Sequence, residues 1–116
     1  MRLEARKYLY DIQEAAKLAA QFTAGIDFEE YQRNQMLRLA VERAFAIIGE
    51  ALAQLVRVDS AMADRIADLR SIVAFRNILV HAYAQIDDGI VWGIVQSKLP
   101  VLMQEVGKLM GADDHS

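Results

Sequence analysis

The chain has 116 residues, no cysteine and a formal net charge of −3, with 54% apolar and 25% charged residues. That length suits one domain with a core of its own, and the missing cysteines exclude a disulfide framework or a thiolate metal site. The acidic balance argues against a broad, non-specific grip on nucleic acid and leaves local recognition of a phosphate, while the apolar surplus suggests side chains meant for a partner chain.

No segment reads as strand, because period-two alternation is absent and Ala, Leu, Glu, Arg and Gln dominate. Met1 to Lys7 runs straight into a charged amphipathic segment, so no signal peptide is expected. Charge-free runs such as Ile90 to Ser97 fall far short of a membrane span, and a cytoplasmic chain is the expectation. The first helix carries Ala5, Leu9, Ile12, Ala16 and Ala19 at steps of four and three, one apolar face. Gly25 is placed to stop it, and Asp27 before Phe28-Glu29-Glu30 has the form of a new N-cap.

The longest helix is predicted over about Glu29 to Val56, with a bend near Asn34. Leu37, Val41, Ala44, Ile48, Ala51 and Leu55 fall on one arc of about 80°, with Met36, Ala40 and Ile47 beside it. Two contacts are implied, one of them across a dimer. Gly49 costs a helix interior about 1 kcal/mol relative to Ala, which a close backbone approach would explain. A short connection at Val58-Asp59-Ser60 leads to a third helix from Met62 to about Tyr83, holding Ile66, Leu69, Val73 and Val80. Gln85 to Gly89 reads as a turn in which Asp87 or Asp88 caps the last helix. That helix, Ile90 to about Met110, turns Val91, Ile94, Leu102, Val106 and Leu109 inward, with Trp92 as an anchor. Pro100 predicts a kink or break near Lys98, and Gly111 an end. The expectation is an all-α, antiparallel four- to five-helix bundle, one domain over residues 1–111 with a frayed tail at 112–116.

Phe75 to Tyr83 stands apart, because Arg76, Asn77, His81 and Tyr83 crowd into an otherwise apolar helix. An Arg can hold a phosphate bidentately and stabilise charge developing on it. A His can take the 2′-OH proton or protonate a leaving oxygen, and a Tyr can orient a phosphate oxygen or stack on a base. Together they form a kit for RNA cleavage that needs no metal or other cofactor. On an ideal helix Arg76 and His81 point about 140° apart, whereas Asn77 and His81 are i,i+4 neighbours able to hydrogen-bond. One straight helix does not gather Arg, His and Tyr. Either it ends near His81 and bends Tyr83 back, or a second copy completes the site, as isologous dimers allow. Glu42 and Glu50 lie off the apolar arc, and either could orient Arg76. The spacing equally suits a structural His, a surface-paired Arg and a core-edge Tyr, so the residues alone leave both readings open.

Arg76-Asn77-x-Leu79-Val80-His81-x-Tyr83 resembles the R-x4-H-x-Y signature of HEPN-domain proteins of the HepT-like ribonuclease toxin family. Tyr8 to Ile12 resembles the family's opening helix, and Asp27 to Tyr31 the start of its second. Ile47-Ile48-Gly49-Glu50-Ala51 resembles its I-G-E-A block, and Ile90-Val91-Trp92 with Leu99 to Leu102 its last helix. The resemblance spans nearly the whole chain, departing from the pattern at Ile78, often basic, and Ala84, often aromatic.

This resemblance implies a homodimer with the two motif helices near the two-fold axis. It implies metal-independent cleavage of RNA, with Arg76 and His81 catalytic and Asn77 and Tyr83 supporting. It also implies a toxin–antitoxin pair in which a minimal nucleotidyltransferase adenylylates Tyr83. The alternatives are a catalytically inactive dimeric partner module of such a transferase and a nucleotide-binding helper for it.

Overall fold

A computed structural model describes residues 1–114, with side chains through Gly111. All regular structure among the described residues is helical, and none of these helices is long and apolar enough to cross a membrane. Helix α1, Leu3–Thr23, buries Ala5, Leu9, Ile12, Ala16 and Ala19 completely, the face its spacing predicts. The Thr23 hydroxyl donates to the Ala19 carbonyl at 2.8 Å. Gly25, at φ 73°, then turns the chain through the left-handed region, where a side chain would be strained.

Asp27 opens α2, Phe28–Arg33, with a reciprocal capping box. The Glu30 N–H donates to Asp27 Oδ1 at 2.8 Å, and the Asp27 N–H to Glu30 Oε1 at 3.3 Å. The predicted bend at Asn34 is a full break. Asn34 leaves helical geometry at φ −107°, ψ 96°, and its Oδ1 accepts the Leu37 N–H at 3.0 Å. Asn competes for backbone hydrogens in this way and so favours caps over helix interiors.

Helix α3, Gln35–Val58, therefore starts afresh and is the hub of the bundle, packing against α1 on one side and α5 on the other. Val41, Ala44, Ile48, Ala51 and Leu55 are buried as predicted. Leu37 is only half-buried, and the additional buried residues Phe45 and Leu52 widen the arc. The second arc faces outward: Met36 is 79% exposed and Ile47 36%.

The third predicted helix is also two. Asp59 caps a single turn, α4 (Ser60–Ala63), through the Met62 N–H at 3.1 Å. A turn follows, pinned where the Ala67 N–H donates to Glu105 Oε2 at 3.1 Å. Helix α5, Leu69–His81, then lies on α3, with Phe75 edge-on to Phe45 at 5.8 Å. It ends at His81, and Tyr83 to Gln85 form a separate 3₁₀ turn.

Asp87 is the residue that caps α6, accepting from the Gly89 and Ile90 N–H groups at 2.7 and 3.2 Å. Helix α6, Asp88–Asp114, has 27 residues against 24 in α3, so it and not α3 is the longest. It continues through Pro100 without a break and past Gly111. Pro100 sits on the exposed side, next to exposed Val101 and Gln96, so water can satisfy the carbonyl that proline leaves without a donor. Residues 115 and 116 of the expected frayed tail lie outside the described residues. Val91, Leu102, Val106 and Leu109 are buried, joined by Val95 and Leu99, while Ile94 is half-buried. Trp92 anchors α6 against Tyr31 at 5.3 Å and Phe28 at 6.3 Å.

The result measures 45 × 29 × 19 Å. The short dimension is about two helix diameters, so each long helix keeps a face toward solvent. Tyr10, Leu39, Val56, Ile78, Val80 and Ile90 account for much of the apolar surface there.

Candidate active site

The motif begins where α5 crosses α3 at Gly49. A Cβ built on Gly49 would lie 2.2 Å from the Arg76 Cβ and 2.7 Å from its Cγ. No side chain fits there, so the close approach inferred from Gly49 is real, and the residue approaching is Arg76. Its aliphatic stem lies on the bare backbone of α3, which aims the guanidinium at the next residue along that helix. Nη2 meets Glu50 Oε2 at 2.7 Å. Nη1 donates to Asn77 Oδ1 at 3.0 Å, and Nε is buried with no hydrogen-bond partner. Of the two glutamates able to orient Arg76, Glu50 does so.

Glu42 has a different setting. Burial, and then the neighbouring Asp88 carboxylate, push its carboxyl above the ordinary range, with Arg38 opposing. Tyr31, fully buried with its hydroxyl unpartnered, is raised for the same reasons, burial first and Glu42 next.

The Arg76–Glu50 pair borders an open concavity of about 250 Å³ between α1, α3 and α5. Arg43, Tyr8, Asp11 and Val80 also line its wall. Arg76 is thus held rigidly yet keeps a quarter of its side chain accessible, which suits a group that must receive an anion without reorganising.

His81 is the last residue of α5 and is exposed. The expected Asn77–His81 hydrogen bond is absent; the Asn77 oxygen accepts from Arg76 instead. The Ala82 N–H still donates to the Ile78 carbonyl at 2.9 Å, but Ala82 turns to φ −134°, ψ 41°. Tyr83 therefore leaves the helix line and is 76% exposed. Within one chain, Arg76, Asn77 and Glu50 are brought together, while His81 and Tyr83 make no hydrogen bond to them. Tyr8, Asp11 and Arg43 join the concavity through tertiary packing alone, and no local spacing signalled them.

The family description Ribonuclease HepT-like matches residues 12–109, which includes the whole Arg76–Tyr83 motif. The chain belongs to the ribonuclease HepT-like family. A Methanocaldococcus jannaschii protein provisionally named an RNase is 38% identical over 103 residues, covering 89% of this chain and 94% of that one. A Thermococcus cleftensis protein provisionally named ribonuclease HepT is 33% identical over 109 residues, covering 94% and 98%. No solved structure matches the chain. The matched span holds both the arginine ordered by Glu50 and the histidine five residues on.

Proposed function

We propose that the chain is a metal-independent endoribonuclease, the toxin of a pair whose antitoxin is a minimal nucleotidyltransferase. The observation that carries this reading is Arg76, seated on Gly49, held by Glu50 and Asn77 and facing an open concavity. Arg76 binds the scissile phosphate through charge-assisted bonds. His81 takes the proton of the adjacent 2′-OH, the 2′ oxygen attacks phosphorus, and the P–O5′ bond breaks. The proton returns to O5′, leaving a 2′,3′-cyclic phosphate and a 5′-hydroxyl end. Because Arg76 and His81 diverge on α5, the working unit is a homodimer with the two motif helices near its two-fold axis. Exposed Ile47 and Val80 beside Arg76, with Ile78 on the same helix, supply apolar surface for that contact. Tyr83, outside the helix and 76% exposed, is the residue the transferase adenylylates. Expression without the antitoxin arrests growth, and His81→Ala relieves the arrest and abolishes cleavage in vitro. Equal toxicity and cleavage from both proteins would overturn the assignment.

One observation favours a second reading. The Arg76 head group already has two partners, so it can serve as a staple between α3 and α5 in a catalytically inactive dimeric partner module of the transferase. That module cleaves no RNA, and loss of Arg76 costs it stability alone.

A further inference from the structure

The larger surface concavity, about 870 Å³, is not the one beside Arg76. It is lined by α3, the α4–α5 turn and α5, and Asn77 is the motif residue in its wall. Its lining includes apolar Val56, Ile66, Leu69 and Val73. Arg70, Ala74 and Asn77 also line it, at steps of four and three along α5, and His81 follows four residues later. On an α-helix these four residues fall within about 60° of one another, and α5 is unbroken from Leu69 to His81. The groove therefore runs along the face of α5 that ends in His81.

Its charged lining, Asp64, Asp68, Arg70 and Lys98, balances overall but leaves one cation unpaired among the described residues. Lys98 Nζ is held by Ser71 Oγ at 2.9 Å and lies 4.0 Å from Asp68 Oδ1, so that carboxylate is balanced. Arg70 is exposed, and among the described residues it has no hydrogen-bond or ion-pair partner. It lies about 16 Å along the helix axis from His81 and within about 20° of it around the axis, the length of about five stacked nucleotides at 3.4 Å each. Between them Ala74 projects only a methyl group, leaving the apolar lining open to a base. Asp64 closes the far end with a like charge, which limits the tract to a few nucleotides.

We propose that this groove holds the single-stranded RNA flanking the scissile phosphate, with Arg70 on a flanking phosphate and a base against Val56, Leu69 and Val73. The proposal rests on the ribonuclease reading and names where its substrate lies. Binding is measured by fluorescence anisotropy of a labelled single-stranded RNA 12-mer on the His81→Ala protein, which binds without cutting. Adding Ala74→Trp, which fills the groove from an exposed position, weakens binding about tenfold or more. Adding Arg70→Gln lowers the slope of log K against log salt by about 0.7, the loss of one phosphate contact. In the cutting protein both changes fall on KM rather than kcat. Unchanged affinity and salt slope in both variants overturn the proposal. So does a change of dimer mass with Ala74→Trp at unchanged RNA affinity, which assigns the groove to a second copy. A wild-type protein that binds the 12-mer but never cleaves it overturns the ribonuclease reading and leaves the RNA groove standing.

Discussion

Gly49 and Arg76 occupy one another's space: the Arg76 Cβ sits where a Gly49 side chain would begin, 2.2 Å away. Helix propensity favours Ala over Gly at an interior position by about 1 kcal/mol. Here the clash outweighs it, since the contact is the root of a side chain on a packed helix. Gly49→Ala is expected to cost about 1–3 kcal/mol net, in the range of overpacked sites, read by urea denaturation. It should also cut RNA cleavage, because α5 can relieve the clash only by carrying Arg76 away from Glu50.

Glu50 tests the same arrangement without disturbing the backbone. The pair is partly open to water, Arg76 at 25% and Glu50 at 49% side-chain exposure, so its worth to folding is small. Glu50→Gln should leave the unfolding free energy within about 0.5 kcal/mol of wild type. The guanidinium loses its charged anchor, and kcat should fall roughly tenfold, a barrier change of about 1.4 kcal/mol. A large loss of stability with unchanged kcat would make Glu50 a structural partner only.

Arg76→Lys separates the two readings of the motif. Lysine keeps a positive charge and an aliphatic stem to lay over Gly49, but it cannot reach Glu50 and a phosphate with a planar fork. For a ribonuclease the variant keeps its fold, by circular dichroism and thermal melting, and loses cleavage by about 10²-fold or more. For an inactive module there is no cleavage to lose, and the melting temperature is the sole readout that moves.

The helical class, the inward faces of α1 and α6, and the Asp27 cap were legible because each depends on neighbours within a turn or two. Gly49 was legible as an anomaly, although only tertiary structure could name Arg76 as its cause. The breaks at Asn34 and after Ala63 were not legible as breaks. Both interrupt stretches whose apolar periodicity continues; side-chain capping by Asn34 decided the first, and the turn after Ala63 is held by the Ala67 N–H on Glu105, a contact from a distant helix. Of the kink or break expected at Pro100, the break is absent: α6 runs on through it, at a turn that faces water, where the carbonyl left without a donor can be solvated. Arg76 and His81 were predicted to diverge; α5 ends at His81 as one of the two arrangements required, but the end does not bring Tyr83 into a hydrogen bond with Arg76.

Tyr83 lies on a 3₁₀ turn at 76% exposure. Tyr83→Phe should fold as wild type and, under the proposed function, remain toxic when its transferase is co-expressed. Mass spectrometry after co-expression should find AMP on Tyr83 of the wild-type protein and none on the variant. Modification elsewhere, for instance on exposed Tyr10, would reassign the target.

Glu42 links stability to pH through burial. Its carboxyl is raised above the ordinary range by desolvation first and by Asp88 second, with Arg38 opposing. A raised native pKa means the folded state binds its proton more tightly than the unfolded chain does. The stabilising contribution is fully present below the unfolded pKa of about 4.3 and is lost as pH rises through the native value. At neutral pH the charged carboxylate is therefore a burden beside the buried, unpartnered Tyr31 hydroxyl. Glu42→Gln should melt at a higher temperature than wild type at pH 7 to 8, with the gap closing as pH falls into the ordinary carboxylate range. A gap of constant size across that range would mean that Glu42 acts through packing and not through its charge.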